Sequence, residues 1–260
     1  MKEISFEECK KIEFDILCCV HNFCVENNLR YYLAFGTLIG AVRHKGFIPW
    51  DDDIDIFMPR EDYEVFIRTF NCNGYACKSL LNKDYFLSFA KVYNIDTIKK
   101  EPVRYLSKNT MGLDIDVFPL DYYYDENFPD KIFKSWKLLK KLKGIAVSKY
   151  DKNAIKNAIR FFLHPFAHYF AKEIENLTFV RNKSDKAARG YISAYCISNE
   201  VRIYKNEWFE NYILMEFENG KFRLPVGFDE LLNCIYGDYM KLPPLEEQVT
   251  HHTYKAYWKN

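Results

Sequence analysis

The chain has 260 residues, a length that allows one large domain or two small ones. Hydrophobic residues make up 48% of it, which is enough to bury a core and argues against disorder. The 37 Lys and Arg balance 36 Asp and Glu, which argues against a dedicated nucleic-acid-binding protein, whose domain would be markedly basic.

The cysteines and the first residues predict the compartment. The eight cysteines show no C-x-x-C spacing typical of a metal site, and the long chain does not need disulfides to hold a core. The N-terminal residues lack the apolar segment of a signal peptide, and no run approaches the ~20 apolar residues that cross a bilayer. We therefore expect reduced, mostly buried thiols in a cytoplasmic protein.

The first third of the chain alternates helices and strands. Ser5 and Glu8 fit a capping box, and apolar residues at helical spacing extend this helix to about Asn27. Four elements follow: a strand at 31–35, a turn at Gly36 and Thr37, a short helix at 38–43 and a strand at 51–57. Pro59 and an acidic first turn then open a helix, whose apolar face carries Tyr63, Phe66, Ile67 and Phe70.

The rest of the chain adds two strands and a helical middle. The predicted elements are strands at 86–93 and 113–118, helices at 131–163 and 165–180, a hairpin of 213–217 with 221–224, and a helix at 229–236. The pattern predicts an α+β fold. We divide it into a core at 1–124 and a helical subregion at 125–260, whose hairpin and last short helix pack on the core.

Five aspartates on two predicted strands are the most informative feature. Because side chains alternate along a strand, Asp51, Asp53 and Asp55 would share one face, with the neighbouring isoleucines turned to the core. Asp114 and Asp116 repeat this spacing on a later strand. Carboxylates so close repel each other, and a hard divalent cation such as Mg²⁺ or Mn²⁺ relieves that repulsion. If the strands are neighbours, their carboxylates meet at one cation site.

The acidic stretch allows two other interpretations. A solvated acidic strand edge is one, but the segment carries Trp50 and two isoleucines and is too apolar for it. A calcium loop is the other, but Ile56 stands where the loop needs glycine, and Asp62 where it needs glutamate. Both fit less well than a magnesium-type site.

A candidate anion site precedes the acidic strand. Gly36 and Thr37 lie at a strand-to-helix turn, where backbone N–H groups are free to hold a phosphate. Arg43, His44 and Lys45 supply cationic donors close by. An anion site beside a metal site is what phosphoryl transfer requires, because the metal neutralises charge while fixed donors hold the nucleotide.

These residues resemble the signature of the LicD family, which also includes fukutin and fukutin-related protein. The longest similar segment is 35–56, from Phe35-Gly36-Thr37 to Asp53-Ile54-Asp55-Ile56. The similarity continues at 59–63, 89–92, 114–121 and 236–244, the last followed by His251. A run of more than twenty matched residues is far more specific than a lone glycine motif. The segment 125–210 contributes no usable motif.

The resemblance implies a nucleotidyltransferase-like mixed sheet with flanking helices and assigns roles by position. It implies Asp53 and Asp55 as the metal pair, Asp116 as the carboxylate from the next strand, Asp51 and Asp114 as further candidate ligands, and Gly36 and Thr37 as the turn. Family members transfer a phospho-alcohol such as phosphocholine from a CDP-linked donor to a sugar hydroxyl, and CMP leaves. The expected partners are CDP-choline and a glycan or lipid-linked glycan, with no nucleic acid.

Two other functions stay open at this point. The same turn and aspartate pair would serve an enzyme that transfers a nucleotide from an NTP to a small molecule or a protein. The residues would also suit a non-catalytic module that binds a nucleotide or a metal, although the intact aspartates argue against a dead enzyme. The role of His251 is left open as well.

The segment 131–163 is strongly basic and amphipathic. Ten Lys and Arg occur between residues 131 and 160 against a single acid, Asp151, with apolar residues between them. Such a segment suits peripheral contact with an anionic membrane at the inner face of the cytoplasmic membrane, or equally a solvated helix face.

Overall fold

A computed structural model describes residues 1–100, 111–123, 128–148, 152–178, 190–192, 203–250 and 254–259. The helices are α1 (Phe6–Glu26), α2 (Phe35–Ile39), α3 (Arg60–Thr69), α4 (Phe128–Val147), α5 (Ala154–Leu163), α6 (Ala167–Thr178) and α7 (Phe228–Tyr236). The strands are β1 (Tyr32–Leu33), β2 (Asp55–Pro59), β3 (Tyr75–Lys78), β4 (Ala90–Asn94), β5 (Thr97–Lys100), β6 (Asp114–Tyr123), β7 (Gly190–Ile192), β8 (Tyr212–Phe217), β9 (Gly220–Pro225) and β10 (Lys255–Trp258).

One mixed sheet carries the site, and it confirms the predicted α+β class. Its strands lie in the order β1-β2-β6-β4-β3, and β7 pairs with the far end of β6. β2 and β6 run parallel, whereas β4 lies antiparallel to β6. Two smaller sheets, β5 with β10 and β8 with β9, stand beside it. The parallel pair brings the two aspartate-bearing strands side by side, which is the condition on which the predicted cation site depends.

The first helix begins and packs as its sequence dictates. The Ser5 hydroxyl accepts a hydrogen bond from the Glu8 backbone N–H and caps α1. The buried residues Ile12, Ile16 and Val20 recur at helical spacing, so one face of α1 covers the sheet. A helix from Ser5 to about Asn27 is therefore confirmed.

The acidic stretch is less regular than predicted. The strand begins only at Asp55, and residues 51–54 precede it, so the expected single strand face shared by Asp51, Asp53 and Asp55 is wrong. The short helix starts at Phe35, before Gly36, and continues as a π-helical turn at Gly40–His44. Lys45 then adopts a left-handed conformation with φ of 59°, which ends the unit.

The C-terminal part contributes to the same core. The predicted hairpin is confirmed as β8 and β9, and Arg223 on β9 donates to the Leu29 carbonyl beside β1 at 2.8 Å. The predicted last helix is confirmed as α7, which ends at Gly237. One buried cluster extends from Ile4 to Ala256, so it draws on both sides of the predicted boundary between residues 124 and 125.

The predicted helical middle is confirmed as α4, α5 and α6. Ala146, Ala167 and Phe170 form a second, smaller buried cluster with Phe86, which precedes β4. Arg60 at the start of α3 ties this layer to the sheet, because it contacts both Asp121 on β6 at 2.6 Å and Glu175 on α6 at 2.7 Å. Within the described residues, no helix is both long enough and apolar enough to span a bilayer.

A disulfide corrects the expectation that all the cysteines are reduced. The structure joins Cys19 on α1 to Cys72, which follows α3, with the two Cα atoms 6.9 Å apart. The two positions are 53 residues apart, and only the packing of α3 beside α1 brings them together. Cys9 and Cys24 are buried free thiols, as predicted.

Candidate active site

Asp55 and Asp116 stand next to each other in the parallel strand pair. They are register partners, and the Asp116 backbone N–H donates to the Ile54 carbonyl at 2.9 Å. Neighbouring strands lie about 4.8 Å apart, and register partners point to the same face of a sheet. The two carboxylates predicted as metal ligands therefore meet on one face, which was the condition on which the sequence argument depended.

Asp51 and Asp53 add charge to this pair from the segment before β2. Burial first, then the charge of Asp53, raises the pKa of Asp51 to about 7. Burial also raises the pKa of Asp55 well above its usual value, and the charges of Asp53, Asp116 and Asp51 add to the effect. The four carboxylates thus form one electrostatic cluster, in which each ionised group opposes ionisation of its neighbours.

The glycine turn fits closely around Asp51. A Cβ atom on Gly36 would lie 2.4 Å from the Asp51 Oδ2 atom, far inside van der Waals contact. The Asp55 backbone N–H donates to the buried Thr37 hydroxyl oxygen at 2.8 Å, which fixes the first residue of β2. Gly36 and Thr37 therefore position two carboxylates of the cluster, a role that the sequence did not predict.

Lys91 was missed as a site residue, although it lies in one of the segments that resemble the LicD family. It is the register partner of Asp116 on β4, and its ammonium group contacts the carboxylates of both Asp116 and Asp114. Burial raises the pKa of Asp116, Lys91 opposes that rise, and the result is about 6. A lysine inside an otherwise apolar strand segment was the available sequence signal.

Asp114 differs from Asp116 in its surroundings. Burial acts to raise its pKa, but Lys91 and then Lys99 outweigh burial and hold the pKa below its usual value. Lys99 Nζ lies 3.1 Å from the Asp114 carboxylate. Because Asp114 is compensated by two lysines and stands opposite Tyr93 in the register, we expect Asp116 to be the ligand from β6 and Asp114 to hold the lysines.

Glu13 on α1 is a second residue that the sequence did not reveal. Its side chain is fully buried, and its Oε2 atom has no hydrogen-bond partner among the described residues. Burial raises the pKa of Glu13 well above its usual value; Lys99 opposes this, while Asp114 and Asp53 add to it. Within an amphipathic helix it reads as an ordinary polar position, so only the fold places it behind the acidic cluster.

Comparison with known proteins decides the family. The family model described as "LicD/FKTN/FKRP, nucleotidyltransferase domain" matches residues 28–143. The lipopolysaccharide cholinephosphotransferase LicD of Haemophilus influenzae is 31% identical over 277 aligned residues, covering 99% of each chain. The chain belongs to the LicD family. It is therefore a transferase enzyme.

Two further relatives match only part of this LicD-family chain. An uncharacterized protein of Rickettsia typhi is 32% identical over 125 residues, which cover 46% of this chain and 38% of the relative. One of Rickettsia prowazekii is 31% identical over 125 residues, covering 46% of each chain. Of these three relatives, the Haemophilus protein matches along 99% of this chain, and the two Rickettsia proteins match along 46% of it.

The three predicted cationic donors have different surroundings. Arg43 donates to His44 Nε2 and to the Tyr239 carbonyl. It therefore joins the π-helical turn at Gly40–His44 to the segment 236–244 that resembles the family. Burial and the neighbouring Arg43 lower the pKa of His44, which favours its neutral form. The Lys45 side chain is 77% exposed and lies 3.9 Å from Glu216. Lys45 is thus the most accessible of the three. The predicted candidate His251 lies outside the described residues.

The donor set suits a hard divalent cation in its chemistry. The clustered side chains offer only carboxylate oxygens, and burial, with mutual repulsion added to it, raises the pKa values of Asp51 and Asp55. A bound cation would offset both effects. In the described part of the chain, however, no three or more His, Cys, Asp or Glu side chains are already arranged around one point. Binding of a cation would therefore require the carboxylates to turn toward it.

Proposed function

We propose that this enzyme transfers phosphocholine, or a related phospho-alcohol, from a CDP-linked donor to a sugar hydroxyl of a cell-surface glycan and releases CMP. The side-by-side carboxylates of Asp55 and Asp116 carry the proposal, because phosphoryl transfer needs such a site for a divalent cation. The name of the Haemophilus relative, a lipopolysaccharide cholinephosphotransferase, supports phosphocholine as the group and a glycan as the acceptor.

The residues would divide the chemistry as follows. The sugar hydroxyl oxygen attacks the phosphorus that bears choline, the bond from that phosphorus to the CMP oxygen breaks, and CMP leaves with the bonding electrons. Where Asp116 does not itself hold the cation, it is in place to accept the hydroxyl proton, because it lies beside Asp55 on the same face of the sheet. Lys91 holds the Asp116 carboxylate in place by an ion pair. The exposed ammonium group of Lys45 would offset the negative charge of the donor phosphates.

We propose Mg²⁺ or Mn²⁺ as the cofactor, held by Asp53, Asp55 and Asp116, with Asp51 as a further ligand. When bound, such an ion neutralises the donor diphosphate and stabilises the leaving CMP. Gly36 keeps the approach to Asp51 open, and Thr37 fixes the backbone of Asp55. The metal assignment predicts that melting temperature rises on addition of Mg²⁺ even without a donor, since ligands of the folded state stabilise it.

The deciding experiment compares donors and products. The enzyme is incubated with Mg²⁺, a glycan acceptor and CDP-choline, CDP-ribitol or CDP-glycerol, and CMP release is measured. Parallel reactions with the four NTPs are assayed for pyrophosphate. CMP release from one CDP-linked donor supports the proposal, whereas pyrophosphate release without CMP would establish a nucleotidyltransferase instead.

Matched variants test the assigned carboxylates. Asp55→Asn and Asp53→Asn should lower CMP release by about a thousandfold or more, while the melting temperature holds or rises because like-charge repulsion is relieved. Asp15→Asn, which changes an exposed aspartate on α1, is the control and should keep wild-type activity. Full activity of Asp55→Asn would contradict the site assignment.

A further inference from the structure

Helix α5 is amphipathic in the reverse of the usual sense. Its buried residue is Arg160, with 6% of its surface exposed. Its large apolar residues face outward instead: the exposed fractions are 72% for Ile155, 47% for Ile159, 67% for Phe161 and 71% for Phe162. A helix that packs on the core of a water-soluble protein normally buries such side chains. The exposed face of α5 therefore indicates contact with something apolar outside this chain.

The exposed face continues past the end of α5. In the short 3₁₀ turn at His164–Phe166, Phe166 is 55% exposed, and in α6, which follows directly, Tyr169 is 56% exposed. We call Ile155, Ile159, Phe161, Phe162, Phe166 and Tyr169 the apolar stripe. The inward contacts of this region are made by other residues, such as Leu163 and Phe170 in the second buried cluster. The stripe is thus not needed to hold the helices together.

The charge around the stripe selects an anionic partner. Residues 152–172 carry three exposed lysines, Lys152, Lys156 and Lys172, and no Asp or Glu, with Asp151 and Glu173 just outside this range. The neighbouring α4 adds exposed lysines at positions 134, 137, 140 and 141. Two copies of this chain joined through the stripe would bring these lysines together and repel each other. An anionic surface with an apolar interior satisfies both the stripe and the lysines.

We propose that the apolar stripe docks this enzyme on an anionic lipid bilayer, with α5 lying in the plane of the interface. The Phe, Ile and Tyr side chains would insert among the acyl chains near the headgroups, and the lysines would meet the lipid phosphates. The inference deepens the proposed function, because a glycan acceptor carried on a lipid is presented at a membrane surface. It replaces the predicted contact through the basic segment 131–163 with a defined contact face at 155–169, which overlaps that segment only in part.

The test is flotation of the full chain with vesicles. Wild-type protein should float with phosphatidylglycerol vesicles, bind far less to phosphatidylcholine vesicles, and lose binding as salt is raised. Phe161→Ser/Phe162→Ser should reduce partitioning at least tenfold, and Lys156→Gln/Lys172→Gln should weaken both the binding and its salt dependence. Val65→Ser, which changes an exposed aliphatic residue on α3 (46% exposed), is the control and should bind like wild type.

Several results would overturn the proposal. Failure of wild-type protein to bind phosphatidylglycerol vesicles at low salt would do so, as would equal binding of Phe161→Ser/Phe162→Ser. Sedimentation velocity without lipid tests whether a second copy of the chain binds the stripe instead. If the wild-type protein is a dimer, the Phe161→Ser/Phe162→Ser variant is a monomer and neither binds vesicles, the stripe is a dimer interface.

A soluble acceptor separates this proposal from the proposed function. If docking alone is impaired, Phe161→Ser/Phe162→Ser should release CMP at the wild-type rate with a lipid-free glycan and more slowly with a vesicle-borne one. Vesicle binding by a wild-type protein that releases no CMP from any donor would uphold the docking site and refute the transferase assignment.

Discussion

Replacing Gly36 by alanine tests whether the turn exists to seat the Asp51 carboxylate. The new methyl carbon would lie 2.4 Å from Asp51 Oδ2, so the carboxylate must retreat by about 1 Å to reach ordinary contact. A displacement of that size at reacting groups costs on the order of a hundredfold in rate. Because Gly36 lies within α2, alanine should itself favour the helix by about 0.5–1 kcal/mol. We therefore expect activity to fall about a hundredfold while stability changes by less than about 1 kcal/mol.

The measurement pairs CMP release with urea unfolding on the same preparations. Gly144→Ala is the matched control, because a Cβ atom at Gly144 on α4 meets no atom within 4 Å. That variant should gain stability from the same helix preference and keep full activity. Gly36→Ala with wild-type turnover would refute the reasoning. A large loss of stability would also refute it, since Gly36 would then be needed for folding and not for the position of Asp51.

Three further predictions follow from the ion pairs and pKa values. Lys91→Met leaves Asp116 without its buried partner, and we expect a loss of about 3–5 kcal/mol in urea unfolding with a further rise in the Asp116 pKa. Arg60→Met should destabilise the protein by a similar amount, because it leaves the buried Asp121 without its partner. The folded fraction of this variant should still release CMP, since Asp121 lies about 16 Å along β6 from Asp116. Unchanged urea unfolding of either variant would contradict its assigned ion pair. Burial raises the pKa of Asp51 to about 7 and that of Asp116 to about 6, above unfolded values near 4, so the folded state holds more protons. The metal-free protein should therefore lose stability as pH rises from about 4 to 7, and the Mg²⁺-induced gain in melting temperature should grow over the same range; a gain independent of pH would contradict it.

Local signals predicted those elements that depend on their own residues. Ser5 caps α1 because its hydroxyl needs only a backbone N–H three residues away. The hairpin of β8 and β9 likewise follows from strands joined by a short turn. By contrast, β5 pairs with β10 at the other end of the chain, and neither strand carries the long alternation that would mark it. Pairing at such distance is decided by the assembled core.

The site divides in the same way. Asp55 and Asp116 were predictable because each lies in an acidic motif with strand alternation, and the parallel register then made them neighbours. Lys91 and Glu13 were not, because a single charged residue in an apolar segment carries no sign of its partner. Only the antiparallel register of β4 with β6 places Lys91 against Asp116. Only the packing of α1 places Glu13 among the buried charges.

The balance of charge at this site bears on how the donor can bind. Asp51, Asp53, Asp55 and Asp116 form one cluster of carboxylates, whereas Lys91 is paired with the carboxylates on β6. A CDP-linked donor carries two phosphate charges and would be repelled by such a cluster at any distance shorter than the screening length. Neutralisation of the cluster must therefore come with the donor or before it, so cation and donor binding should strengthen each other. If the proposed function holds, the carboxylates would serve selectivity as well as catalysis, because they would exclude any anion that arrives without a divalent cation.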